Sequence, residues 1–320
     1  MLTKRMSEVG HTNISTHASG WLVKILRYKF LYFLILPALL YSLVFQYLQW
    51  FGILIAFQDF DFMKGITGSS FVGFKHFIDV FSTPKFLFAI KNTLFYSSVN
   101  LIFGFPMPII LALLFNEMRS FAFKRFAQTV SYIPHFLSWV SVAAMFTAFF
   151  ALEGSFYQLR TFLFGPEVEK FNILTEPSNF VYILYFSNLW KAIGWNSIIY
   201  LAAITSIDQQ IYEAAIIDGC GRFKQMWHVT LPGITQTIVI ILVLNMGTLV
   251  MSNFEQVYSF QNVFNQEMTE VINTLTYRQG LLQGNYSSAT AFGLSQGLVS
   301  FIIVFFANKV SKKISGIGIW

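Results

Sequence analysis

Glu213-Ala214-Ala215-Ile216-Ile217-Asp218-Gly219, followed by Val229-Thr230-Leu231-Pro232, decides how this chain of 320 residues is read. It is a polar, helix-forming and turn-forming insert between two long stretches that carry almost no charge. Apolar and small side chains at helical spacing over residues 211–217 predict a short helix, with Ser206 or Asp208 to cap its start. Ala214 and Ala215 are small enough for another surface to approach the backbone closely. Gly219 and Gly221 tolerate positive φ and turn the chain. Phe223, Met226 and Trp227 then suit a helix lying at headgroup level. Leu231-Pro232-Gly233 ends that helix and restarts the chain, with Pro near the start of the next one.

The flanks explain why such an insert stands out. The chain is 55% apolar and 18% aromatic, and only 11% charged, where a soluble domain carries about a quarter charged residues. A bilayer core of roughly 30 Å is crossed by about 20 apolar helical residues. Five uncharged runs meet that length: Phe30–Gln58, Asn92–Asn116, Phe126–Leu152, Gln225–Phe254 and Gln279–Asn308. A sixth, Ser178–Ile207, is interrupted only by Lys191. The expected fold is all-α: a polytopic bundle of six spans over residues 30–310, with an arm at 1–29, a polar loop at 206–234 and a tail at 311–320. The first run is too long for a cleavable signal and is read as a retained span. Pro106 and Pro108, with Gly104, predict a bend in the second span, and Pro134 one in the third. Cys220 is the only cysteine, so intrachain disulfides are excluded and a Cys-based metal site is not expected.

Basic residues set the orientation. Lys4, Arg5, Lys24, Arg27 and Lys29, then Arg119, Lys124 and Arg125, then Arg222 and Lys224, then Lys309, Lys312 and Lys313 fall on alternate loops. The positive-inside rule puts them, with both termini, in the cytoplasm. The intervening loops carry most of the acidic residues, so the net charge of +6 is a property of the inner face. No nucleic-acid partner is inferred from it.

The spelling Glu-Ala-Ala-x3-Gly-x9-Val-x-Leu-Pro resembles the cytoplasmic docking loop of ABC-importer permeases, with Val229 where Ile is usual and Cys220 where Ala is common. Other segments are similar to sugar-importer permeases: Phe71-Val72-Gly73-Phe74, Lys91-Asn92-Thr93-Leu94 and Trp190-Lys191-Ala192-Ile193-Gly194-Trp195-Asn196. Thr276-Tyr277-Arg278-Gln279-Gly280-Leu281 with Tyr286-Ser287-Ser288-Ala289-Thr290-Ala291 resembles the branch that handles oligosaccharides and polysaccharide fragments, aldouronates and alginate among them. The resemblance implies a type I importer permease fold in a bacterial inner membrane. It also implies that Glu213, Ala214, Ala215, Asp218 and Gly219 form the contact core with a cytoplasmic ATPase dimer. A second permease, most often a different one, and an extracytoplasmic solute-binding protein complete the family's assembly. No Gly-Lys dipeptide occurs in the chain, so a phosphate loop is absent. ATP and Mg are therefore expected on the separate ATPase, with no cofactor and no catalysis here.

Polar groups within spans mark the expected sugar path: Lys191, Asn196, Asn245, Asn253, Glu255 and Gln296, with Arg278 near the outer face. Amides both donate to and accept from sugar hydroxyls; such residues also serve simply to join helices. For Lys191 the anionic partner is open between an acidic sugar, Glu255 and a second subunit. Lys191 and Arg278 are expected to help admit an acidic oligosaccharide. An ion-coupled carrier would need paired intramembrane carboxylates or inverted repeats, and an intramembrane enzyme clustered acid–base groups. The chain shows neither.

Overall fold

The computed structural model describes residues 28–166, 173–251 and 253–319. The arm expected at 1–29 lies outside the described residues up to residue 27, and so does Ser252. The chain divides into two units, Met1–Ile53 and Leu54–Trp320.

The first unit contributes most of a helical run, α1, over Lys29–Phe57. It passes from α-helix at Lys29–Ser42 through a π-turn at Leu43–Tyr47 into a 3-10 stretch at Leu48–Phe57. Phe30, Phe33 and Leu34 stand exposed on it, as side chains facing hydrocarbon do.

The second unit opens with a small antiparallel pair, β1 (Gln58–Asp59) and β2 (Ser70–Phe71). Ser287 ties β1 to the far end of the chain, its hydroxyl donating to the Gln58 carbonyl at 2.6 Å and accepting from the Phe60 N–H at 3.0 Å. Helix α2 (Lys75–Ser82) leads into α3 (Pro84–Glu117), which contains the second uncharged run. Pro106 has no N–H to give the preceding turn. The chain responds with a π-turn over Asn100–Gly104, in which the Phe105 N–H reaches back to Asn100 O at 3.0 Å. The expected bend is thus taken up as one widened turn, and α3 continues as a single helix.

The third uncharged run is not one helix. Helix α4 (Phe121–Tyr132) stops before Pro134, a 3-10 turn occupies Ile133–Phe136, and α5 (Trp139–Phe150) starts afresh under a cap from Ser138. A second helix, α6 (Ser155–Phe164), extends this span well beyond Leu152. Charge-free sequence set the membrane depth here, but proline and the Ser138 cap set where helices begin.

Helix α7 (Phe180–Thr205) is 26 residues long, about 39 Å at 1.5 Å per residue. After the polar loop, α10 (Thr235–Gly247) is bent by 61° from the segment α9 (Arg222–Gly233), where Pro232 and Gly233 break the run as expected. Short helices α11 (Phe254–Phe260) and α12 (Ile272–Tyr277) and a π-turn at Arg278–Leu282 precede the last helix, α13 (Tyr286–Ser315). The final span therefore begins at Tyr286, under a cap from Asn285, later than the uncharged run suggested. Among the described residues, four helices are long and apolar enough to cross a membrane: α1, α3, the α5–α6 segment and α13. The bent α9–α10 pair makes a fifth if it is one span. Helix α7 has the length, but Lys191 and several amides lower its apolar character.

Three buried clusters hold the second unit together. Val142, Phe180, Ile183 and Val257 join α5, α7 and α11. Phe86, Ala89, Leu275 and Phe292 join α3, α12 and α13. Ile109, Ala112, Tyr200, Ile204 and Ile234 join α3, α7 and the N-cap of α10. Gly194 allows α7 to lie directly on α4: a Cβ there would collide with the Ser131 carbonyl.

Candidate functional site

The polar loop at 206–234 is a built structure. Helix α8 (Gln209–Ile217) is capped by Asp208, whose carboxylate accepts from the Gln210 N–H at 2.9 Å. Its end is closed by Gly219, at φ +79°, a conformation that costs a residue with a Cβ considerably more. The Cys220 N–H then returns to Ala215 O at 2.9 Å. One face of α8 turns inward through Ala215, and Tyr212 shares a 2.9 Å hydrogen bond with the fully buried Thr230 hydroxyl. The other face presents Glu213, Ala214, Ile216, Asp218 and Gly219, with Ile217 86% exposed. Of the five residues expected to form the docking core, the structure therefore displays four outward and turns Ala215 inward. Gln225 donates to the Cys220 carbonyl at 2.7 Å. Arg222 reaches Glu117, the last residue of α3, at 3.6 Å to its carboxylate and 3.4 Å to its carbonyl.

Higher in the same unit, α3, α7, α10 and α11 enclose a cavity of about 880 Å³. It gathers Asn196, Asn245 and Asn253 from the expected path, and adds Asn100, Asn188 and Gln256. Asn253 also caps α11, accepting from the Gln256 N–H at 3.2 Å. Gln256 in turn donates to Leu184 O at 2.7 Å and the Ser187 hydroxyl at 2.9 Å, pinning α11 against α7. Tyr96, Tyr185 and Trp195 supply rings to the wall. Asn100 had a legible signal, a lone amide in mid-span six residues before a proline. Gln256 had none, since its helix follows the break that ends the run Gln225–Phe254.

The other four path candidates lie elsewhere. Lys191 projects from a different face of α7, donates to His135 O at 2.7 Å and sits 5.2 Å from the Trp139 ring centroid. Its partner in the structure is thus a carbonyl freed by the break at Pro134, together with an aromatic face. Arg278 is spent on Glu270 at 3.3 Å and on Gln261 at 2.7 Å, over the Tyr258 ring. Gln296 donates to the Val250 carbonyl, and Glu255 is exposed in the first turn of α11. None of these four lines the cavity.

Arg278 and Glu270 are both mostly buried, so Arg278→Ala strands a carboxylate and is expected to cost about 3 kcal/mol. A lowered melting temperature of the purified protein checks this. Partial recovery in the charge-swapped pair Arg278→Glu with Glu270→Arg distinguishes lost pairing from lost packing.

The unit thus holds a cavity walled by amides and, apart from it, a short helix with one exposed face. The pattern of the binding-protein-dependent transport system inner membrane component matches residues 104–316. The chain belongs to that family. This binding-protein-dependent transport component is 44% identical to the polygalacturonan/rhamnogalacturonan transport system permease protein YteP of Bacillus subtilis (strain 168). That match covers 93% of this chain and 92% of YteP. It is 42% identical to protein LplB of the same organism, over 94% of each chain. Among solved structures it is similar to a chain of the bacterial alginate ABC transporter in complex with alginate pentasaccharide-bound periplasmic protein. There the TM-score is 0.84 and the identity 36%, over 93% of this chain and 99% of that one. The type I permease fold expected from the docking loop is accordingly the fold of this membrane component.

Proposed function

We propose that this permease is a membrane subunit of an ATP-driven importer for fragments of an acidic polysaccharide. The observation that carries the proposal is the cavity wall of amides and aromatic rings, in a chain whose relatives handle polygalacturonan, rhamnogalacturonan and alginate. Amides exchange hydrogen bonds with hydroxyls in both directions, and rings pack on sugar C–H faces. Asn196, Asn245 and Asn253 are the path residues of this subunit. Lys191, Arg278, Glu255 and Gln296 hold or flank the helices that form it.

Six spans cross the membrane in this reading, α7 being the one that its buried lysine and cavity-lining amides make less apolar. Residues 30–310 form the permease domain, with both termini in the cytoplasm. The outward face of α8, with Glu213, Ala214, Asp218 and Gly219, receives a cytoplasmic ATPase dimer that binds ATP and Mg. A second permease, different from this one, supplies the facing wall. An extracytoplasmic solute-binding protein delivers the sugar. Contacts at α8 that differ between ATP-bound and ATP-free states would shift the bundle between outward and inward access.

Reconstituting the assembly with its binding protein tests this. ATP-dependent uptake of an oligogalacturonide or an alginate pentasaccharide is the expected result. Uptake confined to neutral oligosaccharides, such as arabino-oligosaccharides, would overturn the acidic class.

A further inference from the structure

We infer that Asn100 and Asn188 form a paired-amide subsite that recognises two adjacent ring hydroxyls of the transported sugar; this rests on the reading of the cavity as a sugar path. The Asn188 Nδ2 donates to Asn100 Oδ1 at 2.8 Å across the cavity wall. No other bond is made by either carboxamide among the described residues. One bond leaves much unspent: both N–H groups of Asn100, and the second N–H and the Oδ1 of Asn188. A donor and an acceptor therefore stand side by side on a surface that a solute can reach.

Two features set this pair apart from amides that merely join helices. Asn100 is exposed within the cavity instead of packed between α3 and α7. Its carboxamide is also held by a dedicated notch. Asn100 opens the π-turn and Gly104 closes it. A Cβ on Gly104 would come within 2.5 Å of Asn100 Oδ1, so glycine is what lets the side chain lie across its own turn. The Tyr185 ring stands 4.0 Å from where that Cβ would lie, and its hydroxyl donates to Phe103 O at 3.4 Å. Widened turns of this kind concentrate at functional sites.

The chemistry selects the ligand edge. A carboxylate offers acceptors only and would leave the Asn188 Oδ1 without a donor. Two neighbouring hydroxyls fit, one accepting from Asn100 Nδ2 and one donating to Asn188 Oδ1. The subsite thus reads the diol edge of the sugar ring and leaves the acid group to other parts of the path.

Uptake by the reconstituted wild-type assembly, normalised to assembled transporter, is measured for three probes. These are an oligogalacturonide, its ring-hydroxyl-methylated form and its carboxyl methyl ester. Ring methylation is expected to slow wild-type uptake roughly tenfold, the scale of one or two lost hydrogen bonds. Asn100→Leu, Asn188→Leu and Gly104→Ala should each slow the unmodified probe about as much, and ring methylation should then cost these variants little more. Esterification should affect wild type and variants by the same factor. Unchanged wild-type uptake of the ring-methylated probe overturns the subsite without recourse to any variant. A methylation penalty that persists undiminished in the variants overturns it too. Absence of wild-type uptake of every acidic probe instead removes the functional reading on which it rests.

Discussion

Gly219→Pro should abolish sugar uptake while leaving the chain inserted in the membrane. Residue 219 sits at φ +79°, and proline fixes φ near −65°. The turn that closes α8 cannot form, and the Gly219 N–H that bonds Ile216 O at 3.0 Å is lost as well. The loop lies at one end of the bundle, outside the buried clusters that hold α3, α7, α12 and α13 together, so insertion is expected to survive. Uptake should fall roughly a hundredfold or more, and the ATPase should no longer co-purify in proportion. Glu213→Lys reverses charge on the outward face without touching the turn. It should reduce uptake per ATP hydrolysed, with both proteins still recovered together in part. Normal uptake by both variants would contradict docking through α8.

Gly194→Val is the second large effect, and it acts on the fold instead of the coupling. Any Cβ at 194 meets the Ser131 carbonyl, which belongs to helix backbone and cannot rotate away. Helices α4 and α7 must separate, breaking the close approach that small residues allow between membrane helices. The cost is on the order of 4 kcal/mol, enough to remove folded protein. The expected observation is loss of the chain from detergent-solubilised membranes, whereas Gly194→Ala retains a small, heat-labile fraction. Full recovery of Gly194→Val would mean that this helix contact is not as close as described.

Much of this architecture was legible because membranes impose coarse rules. Charge-free length located α1, α3 and the apolar part of α13, and the glycines and prolines around residues 219–233 located the inner loop and its bend. The break at Ile133–Phe136 was half legible. Pro134 announced a disturbance, but only the Ser138 cap reveals that a new helix begins, and a lone serine in an apolar run signals little. The cavity was least legible. Asn196 and Asn245 line it while Gln296 and Lys191 do not, yet all four are polar groups in apolar runs. Separating them requires knowing how each helix is rotated about its axis. For Lys191 it also requires knowing that a broken helix nearby offers the His135 carbonyl at 2.7 Å.

The widened turn at Asn100–Gly104 has a consequence for chain length. It carries one residue more than an α-helix would over the same rise, so the two halves of α3 are out of phase by one residue, about 100°. Removing a single residue there would heal the backbone pattern locally and swing the whole N-terminal half of the helix around. Tyr96 and Ser97 would leave the cavity wall, and the exposed Phe95 or Leu94 would sweep toward it. A one-residue deletion at this point should therefore be far more damaging than any single side-chain change nearby.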